Sequence, residues 1–198
     1  LDNIGYHFRH RIIDAAGWVP QHRERIYIIG VRKEYDLEDK LLSAFPEPPL
    51  ARKYDLSDIL LDNKLVDKKY TLGPGTWETL ERHKAHHKSI GQGFGYGLIV
   101  PPYFGQVTRT ISARYHKDGA EILIYQGKNK RPRRLTPLEA CKLQGFPESC
   151  YKFYSGEAEQ PVSDSQAYHQ FGNSVAVPVI TEVAKQLIKL LQENGVLK

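Results

Sequence analysis

The chain has 198 residues, 40% apolar and 26% charged, which suits a packed core in one domain or two small ones and excludes the disordered and fibrous classes. No apolar run approaches the roughly 18 residues of a membrane-spanning helix, so no membrane partner is expected. A net charge of +5 favours an anionic partner, and its distribution sharpens that expectation: basic side chains recur throughout residues 82–134, where the only acids are Asp118 and Glu121.

The amino terminus, Leu1-Asp2-Asn3, carries neither a basic region nor a signal-like apolar stretch. Two cysteines, Cys141 and Cys150, are too few for a disulfide framework and lack the spacing of a zinc site, so the expected setting is a reducing cytoplasm. The chain contains no methionine and enters almost directly into a strand-like pattern, which reads as a piece of a longer protein.

Residues 6–13 alternate loosely between apolar and polar. After breaks at Ala15-Ala16-Gly17 and Pro20 comes a compact apolar run, Ile26-Tyr27-Ile28-Ile29-Gly30-Val31, and the two stretches predict adjacent strands of one sheet. Phe45-Pro46-Glu47-Pro48-Pro49 cannot hold regular structure, because proline lacks an amide donor and restricts its predecessor; a domain boundary is expected near residue 45. Ser57-Asp58-Ile59-Leu60-Leu61 predicts a short helical turn, and residues 78–88 have helical composition rich in His and Lys. The alternating Gly91, Gly93, Gly95 and Gly97 predict a loop. Beyond it, residues 107–114 and 121–125 flank Lys117-Asp118-Gly119; Asp-Gly is the strongest short hairpin signal, so a small antiparallel sheet is predicted. Thr136-Pro137-Leu138-Glu139 is a capping box with proline in the first turn, and Gly145 and Pro147 end the helix it starts. A last helix, predicted to begin after Gly172-Asn173-Ser174, sets Val179, Ile180, Val183, Leu187, Leu190 and Leu191 on one face.

Three separated blocks carry more than secondary structure: Pro20-Gln21-His22-Arg23-Glu24-Arg25-Ile26-Tyr27-Ile28-Ile29-Gly30, then Arg134-Leu135-Thr136-Pro137-Leu138-Glu139-Ala140-Cys141-Lys142-Leu143-Gln144-Gly145-Phe146-Pro147, then Gln166-Ala167-Tyr168-His169-Gln170-Phe171-Gly172-Asn173-Ser174-Val175-Ala176-Val177-Pro178. They resemble, in order, the eighth, ninth and tenth signature blocks of the DNA cytosine-5 methyltransferases. Between them, Gly91-Gln92-Gly93-Phe94-Gly95-Tyr96-Gly97-Leu98 and Thr108-Arg109-Thr110-Ile111-Ser112-Ala113-Arg114-Tyr115 resemble recognition loops, most closely those of the bacterial Dcm-like subgroup, which methylates within CCWGG; Thr110-Ile111 matches the family's Thr-aliphatic pair.

The resemblance implies an α/β chain: the C-terminal part of a Rossmann-like methyltransferase sheet domain plus a small, mostly β target-recognition domain. Residues 1–45 and 165–198 would belong to the sheet domain. Residues 46–164 would form the recognition domain, with its organising helix near 136–145. Double-stranded DNA and S-adenosylmethionine are the implied partner and cofactor.

Chemistry on a stacked base requires flipping it from the duplex, so a base pocket is needed. Arg25, just before a buried strand, is the candidate to donate to the base carbonyl or a nearby phosphate, with Arg23 as a second candidate. The other reading of both is a solvated charge cluster around Glu24. Asn173 and Ser174, at the expected helix start, would present free amides to a cofactor carboxylate, cap the helix, or do both. Gln92, Phe94, Tyr96, Arg109, Thr110 and Arg114 are the candidate DNA-reading residues: glycine lets the backbone approach the duplex, glutamine offers a donor and an acceptor to base edges, and arginine pairs with guanine. Phe94 or Tyr96 could equally be an ordinary core aromatic. The alternating glycines lack the lysine and spacing of a phosphate loop. His83, His86 and His87 read as a solvated helix face instead of a metal site.

The family's nucleophile is the cysteine of a Pro-Cys dipeptide, but Cys141 follows alanine and Cys150 follows serine. The Glu-Asn-Val block and the glycine-rich cofactor loop are also absent. A missing N-terminal catalytic half is therefore expected, and the chain by itself is expected to be inactive. The alternative is a DNA-binding subunit of a split methyltransferase, or a stand-alone DNA-binding module.

Overall fold

The computed structural model describes every residue except Phe94, Gln160 and Lys198. It is mixed α/β, with two separate hydrophobic clusters.

The first cluster is built on a hairpin. Strands β1 (Tyr6–Asp14) and β2 (Glu24–Arg32) pair antiparallel from Tyr6↔Arg32 to Asp14↔Glu24, the two strands that the apolar runs predict. Because side chains alternate across a strand, Ile13, Tyr27, Ile29 and Val31 fall on one face and are buried. There they meet Leu41 and Ala44 from the 3-10 helix Glu38–Ala44, and Val179, Val183 and Leu190 from the long helix at the carboxyl end. The opposite face holds Phe8, Ile12, Ile26 and Ile28, and it is open: Ile12 is 66% exposed, Ile26 58% and Ile28 57%.

The second cluster is closed. Helix α1 (Leu56–Ile59) starts at the Asp55 capping box, and α2 (Pro74–Ser89) follows Gly73 with proline in its first turn. A three-stranded sheet sets β4 (Leu123–Ile124) between β3 (Leu98–Ile99), parallel to it, and β5 (Arg133–Arg134), antiparallel. Helix α3 (Pro137–Leu143) begins at the Thr136–Glu139 capping box, with Thr136 Oγ1 accepting from the Glu139 amide at 3.1 Å and Glu139 Oε2 accepting from the Thr136 amide at 2.7 Å. Glu139 also takes both arms of the buried Arg133 at 2.8 Å and the Leu61 amide at 2.8 Å. After the short helix α4 (Lys152–Ser155), α5 (Asp164–Asn173) packs Tyr168 and Phe171 into this cluster.

Two expectations are corrected. Residues 107–114 do not form a hairpin with 121–125. Asp118-Gly119 does turn, Gly119 sitting at φ 64° while Asp118 accepts from the Ala120 amide. The amides of the earlier stretch are spent elsewhere: Thr108 donates to the Pro20 carbonyl at 2.9 Å, and Ile111 donates to the Gln21 side chain at 2.8 Å. Nor does a helix begin at Asn173-Ser174. Ser163 caps α5, which runs through Asn173; Ser174 ends it, and α6 (Val177–Glu193) begins beyond Ala176 with Pro178 in its first turn. The buried stripe of α6 is narrower than the spacing suggests, since Ile180 is 40% exposed.

Candidate functional site at a three-segment junction

The loop after β1 is tied by Asp14, whose carboxylate accepts from the amides of Ala16 (3.1 Å) and Arg23 (2.8 Å) and pairs with His22 Nδ1 at 2.8 Å. That closure presents Gln21 and Arg23 inward, and both are buried. Gln21 Oε1 accepts from the Ile111 amide, and Arg23 Nη1 donates to the Ile111 carbonyl at 2.9 Å, so the two side chains grip one residue from both sides. Arg23 Nη2 donates to the Gly172 carbonyl at 2.8 Å and to the Ser174 carbonyl. Carbonyl dipoles, with no carboxylate, solvate this guanidinium. Burial, and secondarily the nearby charge of Arg25, pull its pKa down to about 10, which leaves it charged at neutral pH.

Gly172 makes the junction possible. A Cβ there would stand 2.1 Å from the Ala113 amide nitrogen, so only glycine lets the end of α5 lie directly on Ser112 and Ala113. The end of α3 joins in: Gln144 Nε2 donates to the Phe171 carbonyl at 2.7 Å, and the Gln144 carbonyl accepts from the Val177 amide at 2.9 Å. All three blocks and the Thr110-Ile111 pair therefore converge within hydrogen-bond distance.

Arg25 differs sharply from Arg23. It stands on the Tyr27 face of β2, half-buried, and donates only to its neighbour's carbonyl, Glu24 O, at 2.6 Å. Among the described residues its guanidinium is committed to no other segment. Thr110 is half-buried, its hydroxyl donating to the His22 carbonyl at 2.5 Å. Asn173 is exposed within the last turn of α5, its side-chain nitrogen 3.3 Å from His169 Nδ1, and the Ser174 hydroxyl donates to the Phe171 carbonyl at 3.0 Å. The free amides expected at a helix start are therefore not those of Asn173 and Ser174.

Of the DNA-reading candidates, Gln92 and Tyr96 lie against α2. Gln92 is exposed, with Oε1 2.9 Å from His87 Nδ1. Tyr96 is half-buried against Trp77 (ring centroids 4.8 Å apart), with Lys84 Nζ 4.1 Å above its ring; burial, then the charge of Glu81, raises its pKa. Arg109 is exposed and donates to the Gly95 carbonyl, fastening the glycine-rich loop to the segment that Gln21 and Arg23 hold. Arg114 is exposed, and Phe94 lies outside the described residues. Cys141 is fully buried, and burial pushes its thiol up to about 12, so almost none is thiolate at neutral pH. His83 and His86 are exposed, and among the described residues no group of three or more His, Cys, Asp or Glu is placed to hold a metal. No helix among them is long and apolar enough to cross a membrane.

Sequence reasoning assigned no role to Gln21, Gln144 or Gly172. All three stood inside quoted blocks, but their value is tertiary: Gln21 meets Ile111, Gln144 meets Phe171 and Gly172 lies on Ser112 and Ala113, each through a partner remote in sequence.

Comparison with known proteins agrees with this geometry. A family model described as C-5 cytosine-specific DNA methylase matches residues 1–189. The type II methyltransferase M.SsoII of Shigella sonnei is 47% identical over 194 residues, covering 96% of this chain and 47% of that protein. The DNA-cytosine methyltransferase of Escherichia coli strain K12 is 42% identical over 214 residues, covering 94% of this chain and 44% of its own length. The chain spans about half the length of these curated relatives. Among solved structures, the S. pombe Dnmt2 methyltransferase shares the fold with a TM-score of 0.67 at 18% identity, over 97% of this chain and 58% of that one. With the family model matching residues 1–189, the chain belongs to the C-5 cytosine-specific DNA methylases.

Proposed function

We propose that this chain is the target-recognition half of a DNA cytosine-5 methyltransferase, an enzyme that moves a methyl group from S-adenosylmethionine to carbon 5 of a flipped cytosine within CCWGG. The observation that carries this reading is the grip of Arg23 on Ile111, Gly172 and Ser174, which ties a DNA-reading segment to the wall expected to meet the cofactor. Residues 1–45 and 165–198 are assigned to the sheet domain and 46–164 to the recognition domain; the first hydrophobic cluster, from Ile13 to Phe45 and from Ala176 onward, supports that division, while Ala167, Tyr168 and Phe171 pack with the second cluster and favour a second boundary nearer residue 175.

Within the assembled enzyme, Arg25 donates to the flipped base or its phosphate, a role its uncommitted guanidinium favours. The exposed Asn173 amide offers a donor and an acceptor, and Ser174 is held rigid by Arg23 and Phe171, so the pair fits one wall for the polar end of S-adenosylmethionine. The cofactor supplies the electrophilic methyl group. The nucleophilic thiolate, which adds to carbon 6 and activates carbon 5, comes from an amino-terminal half, because Cys141 is buried with a raised pKa and neither cysteine follows a proline. The open face of the hairpin is the seat proposed for that half.

The test is transfer of labelled methyl groups from S-adenosylmethionine to plasmid DNA, followed by bisulfite sequencing. The chain alone is expected to transfer none; joined to its amino-terminal half, it is expected to modify CCWGG. Robust transfer by the chain alone would overturn the division of labour, and modification outside CCWGG would overturn the site.

A further inference from the structure

At the β5 edge of the small sheet, where Thr71 bridges to Arg133, a cavity of about 550 Å³ opens beside the start of α2. Lys64, Lys68, Lys130 and Arg131 line it, and no aspartate or glutamate does. The acids nearest in sequence are turned to local work: Asp62 accepts from the Lys64 amide at 2.9 Å and Asp67 from the Lys69 amide at 2.8 Å. Arg131 is oriented by its Nε donating to the Leu72 carbonyl at 2.6 Å, which leaves its two terminal nitrogens uncommitted among the described residues. Gly73, also in the lining, starts α2 without a capping side chain, so the positive end of that helix adds to the same field. Four cations without a counter-charge repel one another, and a polyanion relieves that repulsion.

Helix α2 links this cavity to the candidate reading loop. Its 16 residues run from Pro74 beside the cavity to Ser89, just before the 91–97 loop; at 1.5 Å per residue that is about 24 Å. Each strand of a duplex carries one phosphate per roughly 3.4 Å of axis, so the distance equals about seven base steps. We propose that the cavity holds the sugar-phosphate backbone of the target duplex, at a phosphate beyond the third and within about seven base pairs of the bases read by the 91–97 loop. This rests on the reading of the chain as a DNA-binding half. It adds a backbone clamp, distinct from the residues that read bases, that fixes the register of the duplex.

The experiment is a salt titration of duplex binding by the full chain, on a long CCWGG duplex and on one trimmed to about three flanking base pairs. The variant is K64A/K68A/K130A, three exposed lysines; Lys189→Ala on α6 is the control, and circular dichroism checks the fold. On the long duplex the triple variant is expected to lower the slope of log affinity against log salt by about 2–3, at roughly 0.9 per phosphate contact, with a loss of affinity on the order of tenfold or more at low salt. On the trimmed duplex, wild type and variant should coincide. If wild type binds and the triple variant keeps its slope and affinity, the clamp is overturned while the DNA-binding reading stands. If wild type fails to bind any duplex at low salt, both fall. Inorganic phosphate that protects the three lysines from acylation without competing with DNA would also overturn the clamp, by showing a small-anion site in its place.

Discussion

The two hydrophobic clusters are finished to different degrees. Around Leu135 and Tyr168 the second cluster is fully buried, and the charge of Arg133 is answered within it, Arg133 and Glu139 meeting in a two-armed pair whose remaining acceptor sites take the Leu61 and Thr136 amides. The first cluster is half a sandwich. Its hairpin has α6 and a 3-10 helix on one face, while among the described residues Ile12, Ile26 and Ile28 stay exposed on the other, although a two-stranded sheet is marginal by itself. One region contains what it needs to hold its shape, and the other is shaped to be completed.

Removing part of the closed network is the strongest way to break this contrast. Glu139→Ala strands a buried guanidinium and two amides; breaking one side of a buried pair costs about 3–5 kcal/mol. The expected result is loss of cooperative denaturant unfolding of the second cluster, and unchanged unfolding would show that the network is ornamental. Arg23→Ala ranks next. It orphans the carbonyls of Ile111, Gly172 and Ser174, at roughly 1–3 kcal/mol for each group left without another partner. Arg23→Lys keeps the charge but not the fork, so its denaturation midpoint should fall between those of wild type and Arg23→Ala.

The open face separates the regions differently. Ile26→Ser and Ile28→Ser should shift the melting of the chain alone very little, because exposed substitutions usually stay within about 0.5 kcal/mol. In the assembled enzyme each should cost about 1.5–3 kcal/mol, the value of burying such a side chain. Equal effects in both settings would mean that nothing covers the face. The smallest effect belongs to Asp14. Burial raises its pKa, but the His22 hydrogen bond and the Arg23 and Ala16 amides outweigh burial and hold it below the ordinary 3.8. Its stabilisation is therefore complete above the unfolded value and lost as pH falls through the lower folded one. Because the group is partly exposed, the contribution is under about 1 kcal/mol. The stability gap between wild type and Asp14→Asn should be constant at neutral pH and shrink below about pH 4.

Local signals were legible where local physics decides. The Thr136 capping box and the apolar run of β2 appear as read, and the spacing along α6 does so for Val179, Val183 and Leu190. What escaped is decided by distant partners. The 107–114 stretch has strand composition, yet its amides serve Pro20 and Gln21. Asn-Ser before an apolar helical pattern suggests a helix start, but the capped helix α5 reaches it first from the other side. Of the two arginines, Arg25 drew the pocket role from its place before the strand, while nothing local distinguished it from Arg23, which is buried because three carbonyls from two remote segments converge on it. Ile26-Tyr27-Ile28-Ile29 carries a further message: continuous apolar runs belong to strands covered on both faces, and here one face is uncovered.

The contact of Gly172 with Ser112 and Ala113 sets the terms on which recognition segments can be exchanged. A loop transplanted at residues 91–93 meets open space, whereas Gly97 is as confined as Gly172, since a Cβ there would stand 2.2 Å from the Glu121 carbonyl oxygen. A transplant reaching residues 112–113 must bring backbone that lies flush against a glycine with no room for even a methyl group. Grafts intended to retarget such an enzyme should therefore be cut on the amino side of Thr108, or carry their own partner for the end of α5.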